Sequence, residues 1–289
     1  MSISSSSRET PRGASTSWQR IAPEPPSENI VALCMPTARC ARISALITSG
    51  EISMSYVIPG RFDGKVAFLT GAGSGIGRAS SLRLAAEGAE VFIHDMNAES
   101  LAETVSMITA AGGTAVSRVG DVTERAECFA AIAEAIEVFG RLDVLVNVAG
   151  IAGGYHFTEM TEEQYRRMAA VNMDAPFFFC QAAVPHLLAS DGNIVNIASN
   201  AGLMGQAYTT AYCMTKGAVV QLTRSLAMEY AKTALRVNAI APGGIVTNLT
   251  HNFQMPSDID FELMAPYLGY RGQGEADDIA ELIALVAAP

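Results

Sequence analysis

Val66-Ala67-Phe68-Leu69-Thr70-Gly71-Ala72-Gly73-Ser74-Gly75-Ile76-Gly77 is the stretch that decides how this chain is read. Apolar residues run straight into a glycine-rich turn, and an amphipathic helical pattern follows over 76–87. A near-continuous apolar run of this kind fits a strand buried on both faces. Glycines let the backbone turn sharply and approach a pyrophosphate, whose charge is drawn by exposed N–H groups and the helix dipole. A glycine cluster alone would be an ordinary turn. Placed between a strand and a helix, it predicts a dinucleotide site with Gly71, Ser74, Gly75, Ile76 and Gly77 as contacts.

Working outward, the alternation repeats. Strand-rich runs fall at 65–70, 90–94, 114–119, 142–147, 192–198 and 235–241, separated by helical stretches near 76–87, 98–111, 123–138, 162–188 and 208–230. Strands bracketed by helices of ten or more residues imply right-handed βαβ units, so the predicted class is α/β. The sheet should be parallel, open and doubly wound, with helices on both faces and ligands at the carboxyl ends of its strands. The second strand ends in His94-Asp95, and Asp95 lies 95 − 77 = 18 positions beyond Gly77. A carboxylate there accepts hydrogen bonds from the adenosine ribose and repels a 2′-phosphate. Ser74 and Met96 stand where a basic residue would greet that phosphate, so NAD is expected rather than NADP.

Composition narrows the partners. The 289 residues are 49% hydrophobic and 17% charged, enough for a sizeable core, and the net charge is −10. An acidic chain repels phosphate backbones and anionic lipid, which argues against nucleic acid and membrane surfaces. No apolar run reaches the ~18–20 residues of a membrane span. Cys34, Cys40, Cys128, Cys180 and Cys213 form no metal-ligand pattern and cannot all pair, so they read as free thiols of a cytoplasmic protein without a metal site.

Residues 1–58 stand apart from the domain expected over 59–289. They are rich in Ser, Arg and Pro, lack Lys and hold the only Trp, Trp18. A disordered extension, a targeting segment and a true start at Met54 compete as readings. Glu9, Glu24, Glu28 and Glu51 weigh against targeting, leaving disorder or the later start as the expectation.

Tyr212-Cys213-Met214-Thr215-Lys216 puts Tyr and Lys one helical turn apart on a shared face. An ammonium beside the phenol stabilises phenolate and should lower the ordinary value of ~10, making Tyr212 a candidate general acid/base. Ser199 closes the apolar run Ile194-Val195-Asn196-Ile197-Ala198 and precedes Tyr212 by 212 − 199 = 13 positions.

With these residues the chain resembles the short-chain dehydrogenase/reductase family. The matching pieces are the Thr70–Gly77 turn, Asp121-Val122, Asn147-Val148-Ala149-Gly150, Asn172, Ser199, Tyr212 with Lys216, and Pro242-Gly243-Gly244, in the family's order over 62–289. The resemblance implies a Rossmann-type sheet and an NAD(H)-dependent exchange of hydride between a secondary alcohol and a ketone. Tyr212 would move the hydroxyl proton. Lys216 would hold the nicotinamide ribose and bias Tyr212, while Ser199 would hydrogen-bond the substrate oxygen. Asn172 would seat a water linking Lys216 to solvent. Asp121 and Val122 would meet adenine, and Pro242, Gly243, Ile245 and Thr247 would wrap the nicotinamide. Asn147, Ala149 and Gly150 would complete the cofactor contacts in a motif that serves mainly as a brace.

Two departures qualify the resemblance. Val148 replaces the usual second Asn, with little effect expected. The chain also stops at Pro289, where relatives continue into a last strand and a glycine-rich tail. The expected result is a sheet missing its last edge strand, with the preceding strand exposed; the chain is then either cut short or natively short and inactive. An NADPH-dependent 3-oxoacyl reductase and a non-catalytic nicotinamide-binding protein are the alternative functions. The resemblance also implies a homodimer or homotetramer built through the helices near 162–188 and 208–230.

The loop at 248–274 carries Phe253, Met255, Phe261, Leu263, Met264, Tyr267, Leu268 and Tyr270. As a lid it would favour a largely apolar alcohol or ketone, such as a cyclic, steroid-like or acyl compound. Met204, Gln206 and Tyr208 are further pocket candidates.

Overall fold

The computed structural model describes residues 30–33, 57–267 and 272–289. Among the described residues, seven strands form one sheet: β1 (Ile30–Leu33), β2 (Val66–Thr70), β3 (Glu90–Asp95), β4 (Thr114–Val119), β5 (Val144–Asn147), β6 (Asn193–Ile197) and β7 (Arg236–Pro242). Their order is β1-β7-β6-β5-β2-β3-β4. The six strands from β2 onward pair in parallel, as the alternating pattern predicts. Chain order reverses between β2 and β5, and ligands of such sheets bind where that reversal opens a crevice.

One expectation is corrected at the sheet's edge. The β7 edge is not bare: β1 runs antiparallel along it, with Ile30 opposite Pro242 and Leu33 opposite Ala239. The stretch expected to be without structure therefore supplies a strand, and its remaining residues up to 56 lie outside those described. Four residues without a marked alternation gave no strand signal; the pairing arises from the open N–H and C=O groups of β7.

The helices are α1 (Gly75–Ala86), α2 (Ala98–Ala110), α3 (Arg125–Phe139), α4 (Glu162–Ala169), α5 (Ala175–Ala189), α6 (Thr210–Glu229), α7 (Asn248–His251), α8 (Phe261–Met264) and α9 (Ala276–Ala287). Strand alternation sends Ala67 and Leu69 to one face of the sheet, against Leu84 of α1, Leu101 and Ile108 of α2, and Ile283 of α9. Val66 and Phe68 point the other way, toward Ile132 of α3 and Phe179 of α5. Both faces of β2 are thus covered, which is why its sequence is apolar throughout. Local signals start and stop these helices: Asn97 accepts from the Ser100 N–H, Thr161 and Gln164 form a capping box, and Gly140 ends α3 at φ 75°.

The long helix expected over 162–188 is interrupted. Ala170–Asp174 forms a π turn between α4 and α5, a feature found frequently at functional sites. Helix α9, which opens with a Glu275–Asp278 capping box, was not expected. It is held where Arg236 donates to the carbonyls of Val286 (2.8 Å) and Ala288 (2.7 Å), and Asn193 donates to Val286 (2.9 Å).

Candidate active site

The loops after β2 and β5 close on each other at the reversal point. Gly71 has φ 65°, and a Cβ there would lie 2.9 Å from the Ala149 Cα. Thr70, which opens the turn but was not an expected contact, makes the joint: its hydroxyl accepts from the N–H groups of Val148 (3.0 Å) and Ala149 (3.1 Å). At Gly75 (φ 50°) a Cβ would come within 3.1 Å of the Thr247 Cγ2, so the turn also meets the segment after β7. These bare backbones leave a cradle that side chains would fill. Ser74 sits at the N-cap position of α1 without capping it, and its side chain lines the cleft.

One cleft gathers most of the expected residues. Gly71, Ser74, Gly75, Ile76, Gly77 and Asp95 line it on one side, with Ala149 and Gly150 next to them. Ser199, Tyr212 and Lys216 line it on the other, with Pro242, Gly243, Ile245 and Thr247 at its edge. Asp95 is more than a surface carboxylate: Oδ2 accepts from the Gly73 N–H and Oδ1 from the Asn97 N–H, both at 2.9 Å. It holds the glycine turn in place while facing the cleft. Arg78 fixes the same turn from behind, donating to the Gly73 carbonyl at 2.6 Å and pairing with Glu103.

Three expected cofactor contacts do not line the cleft. Asp121 and Val122 follow β4 beside the end of β3, where the Gly120 N–H donates to the Asp95 carbonyl. The Asp121 carboxylate caps its own turn, accepting from the Thr123 N–H. Asn147 is buried under the sheet, donating to Asn196 Oδ1 at 2.8 Å, and Asn196 in turn donates to Thr223. It therefore links β5, β6 and α6, which fits the brace expected of its motif. Its own Oδ1 has no partner.

Asn172 sits in the π turn, and its amide makes three hydrogen bonds. Oδ1 accepts from the Ile151 N–H at 2.8 Å, and Nδ2 donates to the Ile151 carbonyl at 2.8 Å and to Thr215 at 3.2 Å. The side chain clamps the loop after β5 rather than standing open to a water.

Lys216 is buried, and its Nζ donates to the Ile197 carbonyl at 2.8 Å, lying 5.9 Å from the Tyr212 ring centre. Desolvation pushes its ammonium down to about 8. The expected lowering of Tyr212 is reversed: burial raises the phenol above its ordinary value, partly offset by the Ser199 hydroxyl beside it. Removal from water disfavours both charged forms, and Lys216 is turned to a carbonyl instead of the phenol. Ser199 itself accepts from the Ala201 N–H and donates to Asn200 Oδ1, each at 3.2 Å, and Gln206 Nε2 donates to the same Oδ1 at 3.2 Å.

The segment at 248–267 covers this end of the sheet. Leu249 and Thr250 line the cleft. Met255 packs on Gly154, where a Cβ would meet its sulfur at 2.0 Å, and Tyr267 donates to the Ala207 carbonyl at 3.0 Å. Tyr208 is a post for the segment: at φ 64° it presents its hydroxyl to the Asp260 N–H at 2.8 Å. Phe261, Leu263 and Met204 are exposed and do not line the cleft; Leu268 and Tyr270 lie outside the described residues. Among the described residues, no three His, Cys, Asp or Glu are grouped to hold a metal, and no helix is long and apolar enough to cross a membrane.

A doubly wound sheet with a glycine cradle at its reversal point, facing Ser, Tyr and Lys across one cleft, is the architecture of a dinucleotide-dependent oxidoreductase. The chain belongs to the short-chain dehydrogenase family, whose description matches residues 65–257. It is 43% identical over 200 residues to the 2,5-dichloro-2,5-cyclohexadiene-1,4-diol dehydrogenase of Sphingobium indicum, covering 69% of this chain and 79% of that one. It is 37% identical to the cyclohexanol dehydrogenase of an Acinetobacter strain, over 81% of this chain and 91% of the relative. Among solved structures, carveol dehydrogenase from Mycobacterium avium in complex with NAD matches with a TM-score of 0.70 at 28% identity, covering 79% of this chain and 92% of that one.

Proposed function

We propose that this protein is an NAD(H)-dependent dehydrogenase that interconverts a secondary alcohol, cyclic or otherwise largely apolar, and its ketone. The observation that carries the reading is the single cleft shared by the Gly71–Gly77 turn, Asp95, Ser199, Tyr212 and Lys216. The glycine cradle and the Ser74 hydroxyl would hold the pyrophosphate, Asp95 the adenosine ribose, and Lys216 the nicotinamide ribose. The Pro242–Thr247 segment would wrap the nicotinamide. Asp95 offers no compensating cation to a 2′-phosphate, and the nearby Arg78 is engaged with the Gly73 carbonyl and Glu103. The carveol dehydrogenase that shares this fold is in complex with NAD, which supports the same choice here.

The bound dinucleotide would supply the hydride chemistry at the carbinol carbon, as acceptor in oxidation and donor in reduction. Ser199 hydrogen-bonds the reacting oxygen, where charge develops. Tyr212 takes the hydroxyl proton in oxidation and gives it back in reduction. A water on the Asn172 main chain would connect Lys216 to solvent. The relatives' names, a cyclohexanol and a cyclic diol dehydrogenase, support an alcohol substrate with a ring. Met173, Phe177 and Met214 remain exposed on the π turn, α5 and α6, which supports homo-oligomerisation through those helices.

Thermal unfolding with each dinucleotide tests the cofactor. A ligand at a hundredfold excess over its Kd stabilises the native state by about 2.7 kcal/mol, so NAD+ should raise the midpoint clearly and NADP+ should not. Tyr212→Phe should lower cyclohexanol oxidation by about 10²–10⁴-fold while keeping the NAD+ shift. A larger shift with NADP+ would overturn the cofactor reading, and unchanged turnover in Tyr212→Phe would overturn the enzymatic one.

A further inference from the structure

Resting on the alcohol dehydrogenase reading, we infer that His156 and Asp258 form a pH-sensitive latch holding the segment after β7 against the cleft, which grips the substrate below neutrality and loosens above it. The segment matters to the pocket because its first residues, Asn248, Leu249 and Thr250, line the cleft. Further along, hydrogen bonds at 254, 258 and 260 tie it to the loops after β5 and β6. The Gly154 N–H donates to the Gln254 carbonyl at 2.9 Å. His156 Nε2 meets Asp258 Oδ1 at 2.8 Å. The Asp260 N–H donates to the Tyr208 hydroxyl at 2.8 Å. Tyr208 also joins the two loops to each other. Its carbonyl accepts from the Tyr155 N–H at 2.7 Å, and its ring meets that of His156 at 90°, with 5.4 Å between centres. A bulky residue at φ 64° is costly, and these contacts hold Tyr208 where the segment needs it.

Of these ties, the middle one carries a charge that changes near neutral pH. The hydrogen bond to Asp258 raises the His156 imidazole above its ordinary value, and Glu159 on the same loop acts in the same direction. The bond to His156 lowers the Asp258 carboxyl in return. Around the pair, Tyr208 presents its ring, and the Asp260 carboxylate accepts from the Glu262 N–H. A raised imidazole contributes its full stabilisation below the ordinary value of ~6.5 and loses it as pH climbs through the raised one. Below that range an imidazolium faces a carboxylate. Above it a neutral imidazole still donates one hydrogen bond, but the charge attraction is gone. The segment is then loosened rather than freed. Asp258 is largely exposed, so water and salt weaken the pair and its effect is modest. Tyr212 favours oxidation at high pH, so the firm grip accompanies ketone reduction and the loose one accompanies alcohol oxidation.

The test reads the segment first and the substrate second. Hydrogen exchange of residues 248–264, corrected for intrinsic rates, is compared at about pH 6 and about pH 9, either side of the imidazole range. The proteins are the wild type, His156→Gln, His156→Lys and Asp258→Asn. The wild type should be more protected at the lower pH. His156→Gln, which keeps a neutral donor, and Asp258→Asn should show the weaker protection at both. His156→Lys, charged throughout, should show the stronger protection at both. Equal protection of β5 and β6 in all four proteins shows that the fold is kept. Kinetics then use cyclohexanol at saturating NAD+. Its KM should rise about threefold across the range in the wild type, the size of an exposed ion pair. It should stay flat in the three variants, while kcat keeps one pH dependence in all four. Equal wild-type protection at both pH values, or a difference that survives His156→Gln or Asp258→Asn, would overturn the latch. A flat wild-type KM beside a segment that does loosen would overturn its grip on the substrate. No oxidation of cyclohexanol would remove the dehydrogenase reading, and the exchange data would still decide the latch.

Discussion

At Lys216 the folded protein holds a cation where water is excluded, and this has a measurable sign. Its ammonium is pushed down to about 8, while in the unfolded chain a lysine keeps its ordinary value near ~10.4. Between these values the unfolded chain binds a proton that the native protein has lost, so stability rises with pH across that window. Lys216→Met removes the titration, and the gain in urea midpoint from pH 8 to pH 10 should be smaller in the variant. Tyr212 gives a second dependence. Burial keeps its phenol protonated at neutral pH, so kcat/KM for alcohol oxidation should climb as pH rises above 7 while ketone reduction falls. Asp95 combines two tasks in one side chain. Asp95→Ala leaves the Gly73 and Asn97 N–H groups without their acceptor, and the NAD+ thermal shift should shrink accordingly. Sequence spacing located Asp95, Ser199, Tyr212 and Lys216; it could not say that Lys216 faces a carbonyl, because that depends on where β6 ends relative to α6.

Among the elements, the π turn between α4 and α5 carries the most consequence. It places Asn172 so that both polar groups of Ile151 are satisfied by one amide. Asn172→Ala would strand two backbone groups, each at about 1–3 kcal/mol if it stays out of water. A drop in melting temperature together with lost turnover is the expected outcome, read by calorimetry and NADH absorbance. Pro176, just past the turn, is a break signal that the reading of 162–188 as one helix passed over; the π turn itself arises where the helix must present Asn172 to a loop from another strand. The expected contacts Asp121 and Val122 fall outside the cleft for a related reason. Their place after β4 follows from the pattern, but how far that strand end stands from the cleft is set by sheet geometry.

Across the whole molecule, the 57–65 segment is fastened by charge. Glu87, with no exposed side-chain surface, accepts from Arg83 at 2.6 Å, from Arg61 Nη2 at 3.3 Å and from the Ile58 N–H at 3.2 Å, and its Oε2 lies 2.9 Å from Arg61 Nε. Removing one partner of a buried ion pair costs about 3–5 kcal/mol. Glu87→Gln should therefore lower the unfolding free energy by roughly that amount in urea, with the m-value unchanged if the fold is kept. The sequence by itself determined the alternating architecture, the glycine turn and the Ser199–Tyr212–Lys216 set, because strand and helix periods and short local spacings are written along the chain. Only the tertiary structure decided that β1 covers the β7 edge, that Lys216 faces the Ile197 carbonyl, and that Asn172 clamps Ile151. Each of these joins residues whose proximity comes from how the strands and helices pack, and hydrogen-bond partners brought together that way leave no periodic trace in the chain.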